Sequence, residues 1–207
     1  LTRTINNNSC FDAVMDGLTA CEGHYASNFV AETLETSPIT DLTGLISALD
    51  KANDSLFLGG AGRSLLTTVS VTFKLGRQLH VVNAGDSPVY LIRNSGKQIT
   101  KLAAAIKSRI LVTLMANVVG RHKDFKYEYH NQTLLSGDRL ILATDGITNN
   151  LSVQDIADII GNSLTPKEAC NRLKDSIESR RTQGLGLKEF YGTFRDDDRT
   201  AIIRFFD

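Results

Sequence analysis

A chain of 207 residues with 23 Lys+Arg against 23 Asp+Glu has no net formal charge, which removes the electrostatic basis for a polyanionic partner such as nucleic acid. A single domain spanning 1–207 can bury roughly 70% of the surface its unfolded form exposes, so it needs neither a disulfide nor a structural zinc to fold. Three cysteines without metal-ligand spacing, no apolar run of membrane-spanning length and no secretory pattern lead to the expectation of a cytoplasmic protein, or a cytoplasmic domain of a larger one, although the chain begins at Leu1 rather than methionine.

Residues 1–9 are polar, with Asn6, Asn7 and Asn8 in a row, and a short apolar run over 11–15 ends at Asp16-Gly17. Phe29, Val30 and Leu34 predict a helix over 24–35, and Leu42, Leu45, Ile46 and Leu49 predict another over 41–56. Gly59, Gly60 and Gly62 read as a plain connector, because the Gly-Lys-Ser/Thr end of a nucleotide-binding loop is missing. From 68 to 75, Val69, Val71, Phe73 and Leu75 alternate with Thr68, Ser70, Thr72 and Lys74, the period of a half-buried antiparallel strand. Runs over 79–84, 89–93 and 98–102 extend this into a meander of adjacent strands, interrupted at Gly85-Asp86-Ser87-Pro88.

Moderate helical character covers 103–119, and a further strand is expected over 127–135. Residues 140–150, LILATDGITNN, begin as an apolar, β-prone run and break at Asp145-Gly146. Asp-Gly is a common hairpin signal, but a hairpin wants a second strand at once. Helical spacing follows instead. Ser152 with Asp155 resembles a capping box, and Thr165-Pro166 opens a last helix carrying Ala169, Leu173 and Ile177 on one face. A glycine-containing loop over 183–192 leads to Arg195-Asp196-Asp197-Asp198 and a final strand over 200–206.

Acidic residues therefore stand at four strand ends: Asp16, Asp86, Asp145, and one or more of Asp196, Asp197 and Asp198. Each alone is an ordinary turn residue. Carboxylates gathered at one sheet edge would repel and raise one another's pKa, and a hard divalent ion taking oxygen ligands is the natural compensation. Two such ions can generate a hydroxide at neutral pH and clamp an in-line displacement at phosphorus.

The order Asp-Gly, Asn-Ala-Gly-Asp-Ser, Ala-Thr-Asp-Gly and Asp-Asp-Arg-Thr before a last strand resembles the type 2C metal-dependent serine/threonine protein phosphatases, over nearly the whole chain. The resemblance implies an α+β fold, a four-layer α-β-β-α sandwich of two antiparallel sheets flanked by helices. It implies two Mn2+ or Mg2+ ions bridged by Asp16, with the Gly17 carbonyl, Asp145 and Asp197 as further ligands. Asp86 matches a ligand of a third, weaker site, and Arg3 matches the arginine that grips substrate phosphate. The partner implied is a phosphorylated protein substrate, with turnover opposing a Ser/Thr kinase.

The sequence also departs from the family pattern. Asn7 and Asn8 stand where two acids are usual after the arginine, so the metal site is expected to lose negative charge there. Leu18 stands where some members carry a histidine, which argues against a histidine general acid, and Asn149 replaces a frequent aspartate, so the third ion is expected to be weakly held or absent. These amides keep a rival open: a pseudophosphatase that retains the fold as a binding or regulatory module.

Overall fold

The computed structural model describes residues 1–19, 21–103, 117–187 and 192–207. Its elements run β1 (Thr2–Asn6), β2 (Ser9–Val14), α1 (Gly23–Thr36), α2 (Leu42–Gly60), β3 (Val69–Leu75), β4 (Gln78–Ala84), β5 (Val89–Arg93), β6 (Gln98–Ala103), β7 (Glu128–Thr133), β8 (Arg139–Ala143), α3 (Asp145–Thr148), α4 (Val153–Gly161), α5 (Pro166–Gln183) and β9 (Ala201–Phe205). The helix expected over 103–119 falls largely outside the described residues, as does part of the loop over 183–192. No helix among the described residues is long and apolar enough to cross a membrane.

The chain forms two compact units: Leu1–Ser87 with Ala103–Thr133, and Pro88–Leu102 with Leu134–Asp207. In the first, five antiparallel strands lie in the order β1-β2-β3-β4-β7. Phe11, Val71 and Phe73 of the sheet pack with Val30 and Leu34 of α1 and Leu45 and Leu49 of α2 in one buried cluster. Side chains of this size contribute about 1.5–3 kcal/mol each on full burial. The Asp41 carboxylate caps α2 by accepting from Gly44 N at 2.8 Å. This helix runs through Gly59 and Gly60, which the sequence suggested as a connector, and ends at Ala61 in the left-handed region (φ 49°).

The second unit holds a four-stranded sheet in the order β6-β5-β8-β9. Tyr90, Ile92, Ile141 and Ile203 pack with Ile156 and Ile160 of α4 and with Leu173 and Ile177 of α5. Both helices start as their sequences predict. Ser152 and Asp155 form a reciprocal capping box, and Thr165 Oγ1 accepts from Glu168 N with Pro166 in the first turn.

Two strand expectations need correction. The meander ends at Ala84, because the free edge of β4 is taken by β7, from Gln78↔Thr133 to Asn83↔Glu128. β5 and β6 therefore pair in the other sheet. Nor is β3 half-exposed: Ser70 and Thr72 are as buried as Val69 and Val71. Ser70 tolerates this because its hydroxyl donates to the Ser87 carbonyl and accepts from Asn83 Nδ2.

Candidate active site

In the first unit the β2–β3 and β3–β4 registers decide what stands beside Asp16. Val14 pairs with Ser70 and Val69 with Ala84, so extending each ladder puts Thr68 between Asp16 and Gly85. The hydrogen bonds agree. Asp16 O accepts from Thr68 N at 2.8 Å and from Thr67 Oγ1 at 3.0 Å, and Asp16 N donates to Thr68 Oγ1 at 3.1 Å. Thr68 Oγ1 also lies 3.0 Å from Ser87 Oγ, next to Asp86. The structure thus brings the Asp16 and Asp86 segments together on one threonine.

Gly17 forms an antiparallel bridge with Thr67 whose bonds run from Thr68 N to Asp16 O and from Leu18 N to Leu66 O. Its own carbonyl stays outside that ladder. The glycine is required by close approach rather than by a turn: a Cβ here would overlap the carbonyl of Gly23, and one on Gly23 would overlap the backbone of Gly17 and Leu18. The first turn of α1 is seated on the Asp16-Gly17 segment in this way. Gly17→Ala is expected to destabilise the fold by about 3 kcal/mol through forced backbone displacement, read as a lower urea midpoint at unchanged slope.

Arg3 is placed elsewhere. It pairs with Phe11 in the β1–β2 hairpin, and its Nη1 donates to Leu34 O, Glu35 O and Ser37 O at 3.2, 3.1 and 2.7 Å. A guanidinium there satisfies the orphan carbonyls at the C-terminus of α1. The Gly17 contact is at the opposite end of that helix, about 20 Å away at 1.5 Å per residue. The expectation that Arg3 grips phosphate beside Asp16 is therefore corrected: it is a helix cap.

Asn7 and Asn8 are corrected on similar grounds. They are exposed in the turn between β1 and β2, with Asn8 N donating to Asn6 Oδ1. Asp16 lies eight residues farther on, beyond the other end of β2, roughly 25 Å away in extended chain. Their lack of charge has no bearing on Asp16.

In the second unit Asp145 is the first residue of α3, reached directly from β8. Ala143 pairs with Ala201, and the ladder continues through Thr144, whose N donates to Thr200 O and whose Oγ1 accepts from Thr200 N, both at 3.0 Å. This sets Asp145 and Gly146 against Asp198 and Arg199, closely enough that a Cβ on Gly146 would overlap the Asp198 carbonyl. Asn150, fully buried, fixes the approach from the other side. Its Nδ2 donates to Gly146 O at 2.9 Å and Arg195 O at 2.7 Å, and its Oδ1 accepts from Arg195 N at 2.8 Å.

The acidic run divides by partner. Asp196 meets Arg181 at 3.4 Å and Arg199 at 3.3 Å. Among the described residues Asp197 and Asp198 have no such cation, and Asp197 Oδ1 accepts from Asp198 N at 2.9 Å. Asn149 Nδ2 donates to Asp145 Oδ2 at 2.8 Å, so the amide that stands where an acid is frequent is a hydrogen-bond partner of Asp145. Thr68 and Asn150 were missed in the sequence. Thr68 looked like the polar half of an alternating strand, and Asn150 like one more loop amide.

Carboxylate and carbonyl oxygens are the donors a hard divalent ion takes. Among the described residues no three His, Cys, Asp or Glu side chains are grouped to hold a metal ion. Mg2+ keeps several waters and is commonly bound through one or two carboxylates, and the carboxylates of Asp16, Asp86, Asp145 and Asp197 are donors of that chemistry. Cys170 lines a groove of about 410 Å³ with Ile147, Leu173 and Arg199, and burial pushes its thiol pKa up, away from the thiolate a covalent mechanism needs.

The sequence matches the family model described as Stage II sporulation protein E (SpoIIE) over residues 23–203. No curated protein matches it. Among solved structures it is similar to the serine/threonine phosphatase Stp1 from Staphylococcus aureus, at 18% identity and TM-score 0.72 over 84% of this chain and 80% of that one. The catalytic domain of the serine/threonine protein phosphatase PstP, in complex with two manganese ions, aligns at 19% identity and TM-score 0.67 over 100% of this chain and 91% of that one. RsbX in complex with magnesium aligns at 19% identity and TM-score 0.67 over 97% and 82%. At these identities the likeness speaks for the fold alone: the α+β sandwich of two antiparallel sheets with helices that the motif order implied.

Proposed function

From a chain that belongs to the SpoIIE family, we propose a metal-dependent phosphatase that hydrolyses phosphoserine or phosphothreonine in proteins. The observation that carries this reading is Asp145, at the start of α3, beside Gly146, which lies against Asp198 and Arg199, with Thr144 and Asn150 tying the flanking Thr200 and Arg195. The family match and the manganese and magnesium held by PstP and RsbX support it. In this reading residues 1–207 work as one type 2C phosphatase-like domain in the cytoplasm, on a phosphorylated protein partner, opposing a Ser/Thr kinase.

Manganese or magnesium would be held by Asp16, the Gly17 carbonyl, Asp145 and Asp197, as two ions, with Asp86 directed to a third site left weak by Asn149. Such ions, when bound, supply Lewis-acid neutralisation of charge developing on the phosphoryl oxygens. The chain's own part is positional. Thr67 and Thr68 hold the Asp16 backbone, the Gly17–Gly23 contact seats α1 on the Asp16-Gly17 segment, and Asn150 ties Arg195, which precedes the acidic run, to α3. Neither Arg3 nor a histidine at position 18 has a part in it. The test is manganese-dependent hydrolysis of p-nitrophenyl phosphate and of a phosphothreonine peptide. Turnover that survives exhaustive chelation would sink the metal requirement.

One observation favours a second reading, the pseudophosphatase binding module. The Asn149 amide already donates to the Asp145 carboxylate, which gives that charge a partner without an ion. Calorimetry separates the two readings: the module takes up no manganese at millimolar concentration and turns over neither substrate.

A further inference from the structure

Thr68 lies at the open end of the β3–β4 hairpin, nearly fully buried, and touches both acidic segments of the first unit. Its hydroxyl accepts from Asp16 N and lies 3.0 Å from Ser87 Oγ, a pair in which either hydroxyl can donate. Its β-carbon and methyl occupy the space a side chain on Gly85 would need. Ser87 is held in turn: its carbonyl accepts from Ser70 Oγ and from Asn83 Nδ2, the latter at 3.0 Å. A chain of hydrogen bonds thus runs from the Asp16 amide through Thr68 to the residue after Asp86. Members of such a buried chain polarise one another, so loss of one link weakens the next.

We infer that Thr68 is a positioning residue that locks the Asp16 and Asp86 segments to one another, so that a disturbance in the Gly85–Ser87 loop is felt at Asp16. This rests on the phosphatase reading for its consequence, because Asp16 and Asp86 are the proposed ligands of different ions. The lock itself is independent of that reading. A threonine that merely filled space would be replaced by valine, its near-isostere, without effect at Asp16.

The experiment compares wild type, Thr68→Val, Thr68→Ser and Ser87→Ala by amide hydrogen exchange and by manganese calorimetry. In Thr68→Val the Asp16 amide loses its acceptor and exchanges about tenfold faster, while the Val71 and Phe73 amides of β3 keep their rates. Thr68→Ser retains the hydroxyl and stays near wild type. Ser87→Ala, a small change that does not touch Asp16, accelerates exchange at the Asp16 amide by about threefold, and it carries the test if Thr68→Val does not fold. Manganese affinity falls by about 10-fold to 100-fold in Thr68→Val and is restored in Thr68→Ser. Unchanged Asp16 exchange in Thr68→Val or Ser87→Ala overturns the lock. Wild-type manganese affinity in a folded Thr68→Val overturns its positioning role. A wild-type chain that takes up no manganese overturns the phosphatase reading instead, and the exchange rates still decide the lock.

Discussion

Asp145→Asn is expected to lower manganese-dependent turnover by at least about 100-fold while leaving the melting temperature near that of wild type. The magnitude follows from removing the charge of a proposed ligand, a larger change than substitutions of residues behind the ligands, which already cost about 10-fold to 100-fold in metal affinity or activity. The fold should hold because the contacts that place the residue are not made by its charge. Asp145 O accepts from Asn149 N at 2.7 Å through the backbone, and the side-chain oxygen of an asparagine can still accept from Asn149 Nδ2. Asp196→Asn is the control one segment away. It loses only exposed pairs with Arg181 and Arg199, contacts contributing about 0–1 kcal/mol, and turnover should stay within about twofold. Turnover undiminished in Asp145→Asn would remove that residue from the mechanism, and an equal fall in Asp196→Asn would show that charge in the region, rather than ligation, is what matters.

The elements were legible where local chemistry is sufficient to specify them. Ser152 with Asp155 and Thr165 with Pro166 satisfy helix-end amides from within four residues, so the sequence contains the whole interaction. The spacing of Phe29, Val30 and Leu34 likewise contains the face that α1 buries. The errors came where the deciding partner is distant. Whether β5 joins β4 depends on β7, some forty residues later, having taken that edge. Whether Arg3 is free for phosphate depends on where α1 ends, more than thirty residues away.

The site divides along the same line. Asp16, Asp86, Asp145 and Asp197 stand out as candidates in the sequence because each follows or precedes a strand and breaks its pattern. Thr68 and Asn150 were not, because a threonine in an alternating strand and an asparagine in a loop have commonplace explanations. Their roles arise only when Asp16 and Ser87 each meet Thr68, across fifty-two and nineteen residues, or Arg195 meets Asn150 across forty-five. The Asp-Gly pairs carry a further lesson. Glycine after aspartate reads as a turn, yet Gly17 and Gly146 are both demanded by another backbone lying against them.

The largest loss of stability is expected at Asp138, which has no part in the proposed chemistry. Its side chain is buried, and Arg93 forks onto it, Nε to Oδ1 at 2.7 Å and Nη2 to Oδ2 at 2.9 Å. Oδ2 also accepts from Leu135 N at 2.8 Å, and the Asp138 carbonyl accepts from Phe206 N at 2.9 Å. One residue thus joins the end of β5, the start of β8 and the residue after β9. Asp138→Ala leaves the largely buried Arg93 guanidinium and the Leu135 amide without these partners, and breaking such a pair from one side costs about 3–5 kcal/mol. Since about 1 kcal/mol moves the midpoint by ~2–4 °C in a chain of this size, a fall of the order of 10 °C in the thermal midpoint is expected by circular dichroism. The hydrogen bond to Asp138 raises the Arg93 pKa, against the opposing pull of burial. A raised basic pKa gives stability that is fully present below the ordinary guanidinium value and lost only as pH climbs through the folded one, so the deficit of Asp138→Ala should not shrink when the Arg93 side of the pair is examined from neutral to moderately alkaline pH. Replacing both partners tests whether the loss lies in the pair or in the orphaned charge. Arg93→Met with Asp138→Leu should recover most of the deficit, leaving the unmet Leu135 amide, and a double variant as unstable as Asp138→Ala would assign the loss to the Leu135 contact instead.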